Sequence, residues 1–163
     1  MAINFSKQGC ITQTNEKVFG IYDDPHPAKN PAYLVFQDID MWIGMVENDA
    51  AKEITFTAID HCIEIIDTEG ERCDGMLSYD STLVFIELKD RDGGRWLGKA
   101  KDQLENTIKL YKRDAGLGHY NRLYAQIVNK QRPSFASMSN ILAQKFEDET
   151  GFILRVDQVI NIK

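Results

Sequence analysis

Three residues near the middle of the chain have the types and the spacing to act together: Asp74, Glu87 and Lys89. Glu87 and Lys89 end the run Thr82-Leu-Val-Phe-Ile-Glu-Leu-Lys89, which is otherwise apolar after its first residue. In a strand, residues i and i+2 project from the same face, so the two stand side by side. A buried position there is costly unless each charge has a partner. Asp74 lies on the preceding extended segment, and a hairpin through the turn near Tyr79 to Ser81 brings it toward Glu87. Two carboxylates and an ammonium group at one sheet edge suit phosphodiester hydrolysis. Asp74 and Glu87, with the carbonyl of Leu88, offer the oxygen ligands that hard cations such as Mg²⁺ prefer. Such an ion lowers the pKa of a water and stabilises charge on phosphoryl oxygens. Lys89 is then placed to position and deprotonate the water, or to screen the developing charge. Glu-x-Lys on a strand is equally the pattern of a surface ion pair worth at most about 1 kcal/mol.

The elements that must position this trio follow from periodicity. Leu83 and Phe85 point to one side of the third extended run, and Val84, Ile86 and Leu88 to the other, which predicts a strand in the middle of a covered sheet. Two extended runs precede it, over 54–66 and 72–79, both rich in apolar or β-branched residues. A helix is predicted over 95–113, its apolar face formed by Trp96, Ala100, Leu104, Ile108 and Tyr111, with Gly116 and Gly118 ending it. Residues 122–129 read as a fourth strand closed by Pro133, and 139–149 as a helix capped by Ser137 or Ser139. Residues 152–156 and 159–162 read as short edge strands. Upstream, the spacing of Ile39, Trp42, Ile43, Met45 and Val46 predicts a helix over 39–51. Residues 1–32 read as an arm or irregular segment, because 23–31 hold three of the four prolines. The expected organisation is one α/β domain over 33–163, with a mixed central sheet flanked by helices.

Composition sets the bounds. The chain has 163 residues, 43% hydrophobic and 27% charged, a globular composition in which one core can bury most of the apolar surface. Its net charge is −6, yet between Lys89 and Arg132 eleven Lys and Arg stand against five Asp and Glu, so that this segment is +6 and the remainder −12. A local basic stretch can make a phosphate-binding surface on an acidic chain, although a solvated helix reads the same way. Lys99, Lys130 and Arg132 are the candidate nucleic-acid contacts. No stretch has the length and apolarity of a membrane span, and the N-terminus lacks the pattern of a signal peptide. Cys10, Cys62 and Cys73, odd in number and without CxxC spacing, are expected to be reduced thiols in a cytoplasmic protein. The sequence has no Gly-rich phosphate loop, GxSxG motif or zinc ligand set. His61 and His119 read as a strand and a loop histidine.

The run from Arg72 to Lys89 resembles the core of the PD-(D/E)xK nuclease superfamily, in which an Asp on one hairpin strand faces Glu-x-Lys on the next and a helix follows. Gln103-Leu104 on the predicted helix is similar to the glutamine that several branches use to orient water or a phosphate. The resemblance covers roughly residues 40–130. It implies a restriction-endonuclease-like core and a metal-dependent nuclease acting on DNA more readily than RNA, with Mg²⁺ or Mn²⁺ as cofactor. Asp74, Glu87, Lys89 and Gln103 would be catalytic, and Asp74, Glu87 and Leu88 would hold the metal. Two features depart from the pattern. Cys73 stands where a proline is often found, and the additional acid of many members has three candidates, Glu47, Asp60 and Glu64, of which Asp60 is preferred. A non-catalytic binding module on the same fold is the alternative. Gripping a duplex takes on the order of 1,000–2,500 Å² of protein surface, which makes a homodimer an expectation for so small a domain.

Overall fold

The computed structural model describes residues 2–91, 95–131 and 140–163. Along the chain come β1 (Ile11–Thr14), β2 (Val18–Tyr22), β3 (Tyr33–Val35), β4 (Gly44–Glu47), β5 (Ile54–Ala58), β6 (Gly75–Tyr79), β7 (Thr82–Lys89), α1 (Trp96–Asp114), β8 (Arg122–Asn129), α2 (Asn140–Thr150), β9 (Ile153–Val156) and β10 (Val159–Asn161). Six strands form one sheet in the order β1-β5-β6-β7-β8-β9, and four form a second in the order β10-β4-β2-β3. The first sheet is mixed. Its β1, β5, β6 and β7 are antiparallel neighbours, whereas β7, β8 and β9 run parallel, as strands joined through α1 and α2 do.

The strand at the centre explains the layering. Leu83 and Phe85 of β7 belong to an apolar cluster with Trp96, Ala100, Leu104, Ile108 and Tyr111 of α1 and Phe146 of α2. Val84, Ile86 and Leu88 belong to another, with Phe19, Ile21, Leu34 and Val46 of the second sheet. Helices therefore cover one face of the six-stranded sheet and the second sheet covers the other. This is an α/β fold in three layers, with β7 apolar on both sides because both sides are covered. Glu87 and Lys89 continue the helix-covered face. Among the described residues no helix is long and apolar enough to cross a membrane.

The α1 and α2 expectations match the structure within a residue or two, and β8 spans the predicted 122–129. The helix expected over 39–51 is not there. A single 3-10 turn over Ile39–Met41 leads into β4, where burial alternates residue by residue and Gly44 lies against Val128. Pairing with β2 and β10 overrides the helical spacing. The strand expected over 54–66 stops at Ala58, and His61 turns the chain with φ 63°. The segment expected to be irregular holds β1 and β2, one in each sheet, and the proline run after Tyr22 is free of helix and strand, as expected of it. The expected roles of Arg132, Pro133, Ser137 and Ser139 lie outside the described residues.

Gly75 lets β5 and β6 close. A Cβ there would lie 2.7 Å from the Phe56 ring and 2.9 Å from the Thr57 carbonyl oxygen. The residue before it is Asp74, so this close approach fixes where that carboxylate starts from.

The cysteines depart from expectation. Cys10 and Cys62 form a disulfide, and only Cys73, which is buried, is a free thiol. The pairing of β1 with β5 brings Cys10, just before β1, against the turn that carries Cys62. The bond removes the cysteine argument for a cytoplasmic location. Linking residues 52 apart restricts the unfolded chain by up to about 4 kcal/mol. Thiol titration in denaturant without reductant should therefore count one thiol, and reduction should lower the unfolding free energy by about 2–4 kcal/mol. Three titratable thiols would show the pair to be open.

Candidate functional site

The β6–β7 hairpin pairs Gly75 with Ile86, so the next pair along the register is Asp74 and Glu87. Both carboxylates are almost fully buried, Asp74 at 8% and Glu87 at 3% exposure. The backbone ties them together. The Asp74 N–H donates to Glu87 Oε1 at 3.1 Å, and the Leu88 N–H donates to Asp74 Oδ2 at 2.7 Å. Lys89 Nζ lies 2.9 Å from Glu87 Oε2 and donates to Gln103 Oε1 at 3.0 Å. The structure thus brings Asp74, Glu87, Lys89 and Gln103 into one connected group on the helix-covered face. Leu88 joins it through its N–H.

Polar residues that sequence reasoning passed over hold this group in place. Thr107, on the apolar stripe of α1, donates to the Gln103 carbonyl at 2.8 Å and accepts from the Cys73 N–H at 2.7 Å. It fastens the start of β6 to the helix one turn from Gln103. The Ile59 N–H donates to the Asp74 carbonyl at 2.8 Å and holds the other side of the same residue. Asn129, buried at the end of β8, bonds both backbone groups of Arg91, just past Lys89. The signal for Thr107 was legible as a lone hydroxyl on an apolar helix face. For Asn129 it was a polar residue opposite Lys89 in a parallel pair.

The other candidates scatter. Asp60 sits in the turn after β5, 3.4 Å from Arg72 Nε and 3.4 Å from His61 Nε2. It makes no direct contact with the carboxylate pair, but its charge helps raise Glu87. Glu64 pairs with Lys7 in solvent, and Glu47 lies on β4 of the second sheet. Asp23, unmarked in the sequence, follows β2 and makes no contact with the pair, but lies within electrostatic range of Asp74. Burial and then the Asp60 charge raise its carboxyl, and Asp23 in turn adds to the rise at Asp74. Lys99 lines a cleft together with Lys89. Lys130 is engaged elsewhere, its ammonium donating to the Asp40 carbonyl.

Electrostatics separate the two carboxylates. Burial first, and then the Glu87 charge, hold the Asp74 carboxyl well above the usual carboxylate range, against the pull of the Leu88 N–H. Burial raises Glu87 as well, but the Lys89 ammonium opposes it. Glu87 therefore ionises first as pH rises, and Asp74 keeps its proton longer. The donor set is hard oxygen, which suits Mg²⁺ or Mn²⁺ by chemistry, and an ion of that kind needs only one or two carboxylates besides water and phosphate oxygens. Among the described residues no three His, Cys, Asp or Glu side chains converge into a ready-made metal cluster. Among side chains the fit therefore rests on Asp74 and Glu87, with the Leu88 carbonyl as the remaining oxygen expected from the sequence.

Comparison with protein-family models, curated proteins and solved structures finds no match to this chain.

A raised carboxyl favours folding below its unfolded pKa and loses that contribution as pH rises through the folded value. Asp74→Asn keeps an acceptor for the Leu88 N–H and gains a donor for Glu87. In EDTA it should stabilise the protein at pH 8 by at least about 1 kcal/mol, a few °C in Tm, with the gain shrinking toward pH 4. Thermal melts across that range check it. A variant less stable than the parent at pH 8 would show that Asp74 is not held against its charge.

Proposed function

We propose that the chain is a metal-dependent nuclease that hydrolyses phosphodiester bonds of nucleic acid, DNA in preference to RNA, on a restriction-endonuclease-like core of the PD-(D/E)xK type. The convergence of Asp74, Glu87, Lys89 and Gln103 at the end of one hairpin carries this reading. The order of strand, strand and helix around that group also agrees with the resemblance. Mg²⁺ or Mn²⁺, held by Asp74 and Glu87, would supply Lewis acidity toward the phosphoryl oxygens and acidify a water.

The chain's own residues do the rest. Glu87 fixes Lys89, and Gln103 fixes it from the helix side, so the ammonium is aimed before substrate arrives. An ammonium has three donors; two are used here, which leaves one N–H for a phosphoryl oxygen or the attacking water. Gln103 spends its carbonyl on Lys89 and keeps its amide N–H groups for a phosphate. Thr107 holds both strand and helix, so the distance between carboxylates and Gln103 does not drift.

A second reading, a non-catalytic binding module on the same fold, draws on the near-complete burial of both carboxylates and on the absence of a third acid beside them among the described residues. Labelled single-stranded, duplex and branched DNA, and RNA, incubated with Mg²⁺ or Mn²⁺ and with EDTA, separate the two. Cleavage should require the metal and fall by at least about 100-fold in Asp74→Asn, Glu87→Gln and Lys89→Ala. Asp74→Asn, expected to be at least as stable as the parent, serves as the decisive variant once its melt confirms that it folds. If no substrate is cut and calorimetry finds no divalent-ion binding that Glu87→Gln removes, the binding module stands instead.

A further inference from the structure

A cavity of about 470 Å³ opens where β7 ends and α1 begins, lined by four cations, Lys89, Arg91, Arg95 and Lys99, and two acids, Glu71 and Asp102, together with Trp96 and Gly98. Three features of this wall run against folding stability alone. First, Arg95 and Lys99 flank the N-terminal turn of α1, which has no acidic residue, although a helix N-terminus favours negative charge. Second, Arg91, Arg95 and Lys99 form no ion pair among the described residues, as is true of several other cations of the chain, but these three line one cleft beside Lys89. Third, Gly98 interrupts the exposed side of the helix, and a Cβ there would meet nothing within 4 Å. Gly98 lies in the first turn of α1, where alanine has the better helix propensity, and no neighbour requires the glycine. Unpaired cations against a helix dipole and a needless glycine are all relieved or used if an anionic backbone lies in the cleft.

We infer that this cleft seats a phosphate of the same nucleic-acid strand next to the one being cleaved, gripped by Arg91, Arg95 and Lys99, with Gly98 admitting the strand close to the helix. The inference rests on the nuclease reading and extends it, since Lys89 belongs to both the cleft and the carboxylate group. Asn129 gives the grip its geometry by holding the Arg91 backbone through two bonds. The aromatic residue in the wall, Trp96, is only 6% exposed and offers no stacking face. The cleft therefore reads phosphates and not bases, and its contribution is salt-dependent and indifferent to sequence.

Anisotropy of short fluorescein-labelled DNA, single-stranded and duplex, in EDTA and with Ca²⁺ in place of Mg²⁺, tests this over a range of salt. Arg95→Ala/Lys99→Ala should weaken binding at least tenfold and reduce the slope of log affinity against log salt by about 2 for a duplex, somewhat less for a single strand. Gly98→Glu removes no existing contact, improves helix propensity and should weaken binding similarly by placing a carboxylate in the cleft. Lys109→Ala, elsewhere on α1, should bind as the parent does. Circular dichroism confirms that each variant folds. Parent-like affinity and slope in both cleft variants, or no binding by the parent, would overturn the inference. If Mg²⁺ gives no cleavage while Gly98→Glu still abolishes binding, the nuclease reading fails and the cleft stands. If cleavage proceeds and neither variant weakens binding, the reverse holds.

Discussion

Everything around the hairpin answers one constraint: two carboxylates face each other across neighbouring strands, both almost fully buried. A pair of buried acids is among the most expensive things a fold can contain, because each loses hydration and each opposes the charge of the other. The chain meets the cost in three ways. A proton is retained longest on Asp74, the Lys89 ammonium neutralises Glu87, and two backbone N–H groups occupy carboxylate oxygens. Remove the ammonium and Glu87 becomes an uncompensated buried charge. The arrangement is costly, satisfied and rigid, and among the described residues no buried side-chain nitrogen or oxygen lacks a hydrogen-bond partner.

The layering follows from where that pair must sit. A strand can hold charged residues in a dry place only if apolar cover surrounds it and stops just short of them. β7 does this: its apolar residues pack under α1 on one side and under the second sheet on the other, and the cover ends at Glu87. Helix α1 then has two duties along its length. Its later turns bury Leu104, Ile108 and Tyr111, and its earlier turns present Gln103 to Lys89 and open the basic cleft. The second sheet contributes less obviously, through Asp23 at the end of β2.

Much of this was legible because β7, α1 and β8 are long and strongly patterned. The double-sided apolarity of β7 specified a covered strand, and register did the rest, since a hairpin that pairs Gly75 with Ile86 must place Asp74 against Glu87. What escaped is short. β2 and β4 each contain a glycine, which reads as punctuation in a sequence and here serves packing: a Cβ on Gly20 would lie 2.2 Å from the Trp42 ring. The helical spacing over 39–46 was real as a pattern, but strand pairing on both sides outweighed it. The disulfide joins residues whose proximity exists only once β1 has paired with β5. Asp23 lay hidden in a proline-rich run whose path is set by the second sheet. Long-range placement, and not local propensity, is what these features share.

The charge pattern of the chain makes sense on the same terms. A protein of net charge −6 repels a polyanion as a whole, so any attraction must be concentrated within about 10 Å of the place where it is needed. On the nuclease reading the cations that line the cleft would supply it, and they adjoin a carboxylate pair in which burial raises Asp74 and the Lys89 ammonium offsets the charge of Glu87. On the nuclease reading, Lys89 links the two regions: shared between Glu87 and a phosphate, it ties the electrostatic state of the buried acids to the presence of substrate. On that reading, the burial that makes the pair expensive also lets an acidic chain hold two carboxylates beside a wall of cations that would bind phosphate.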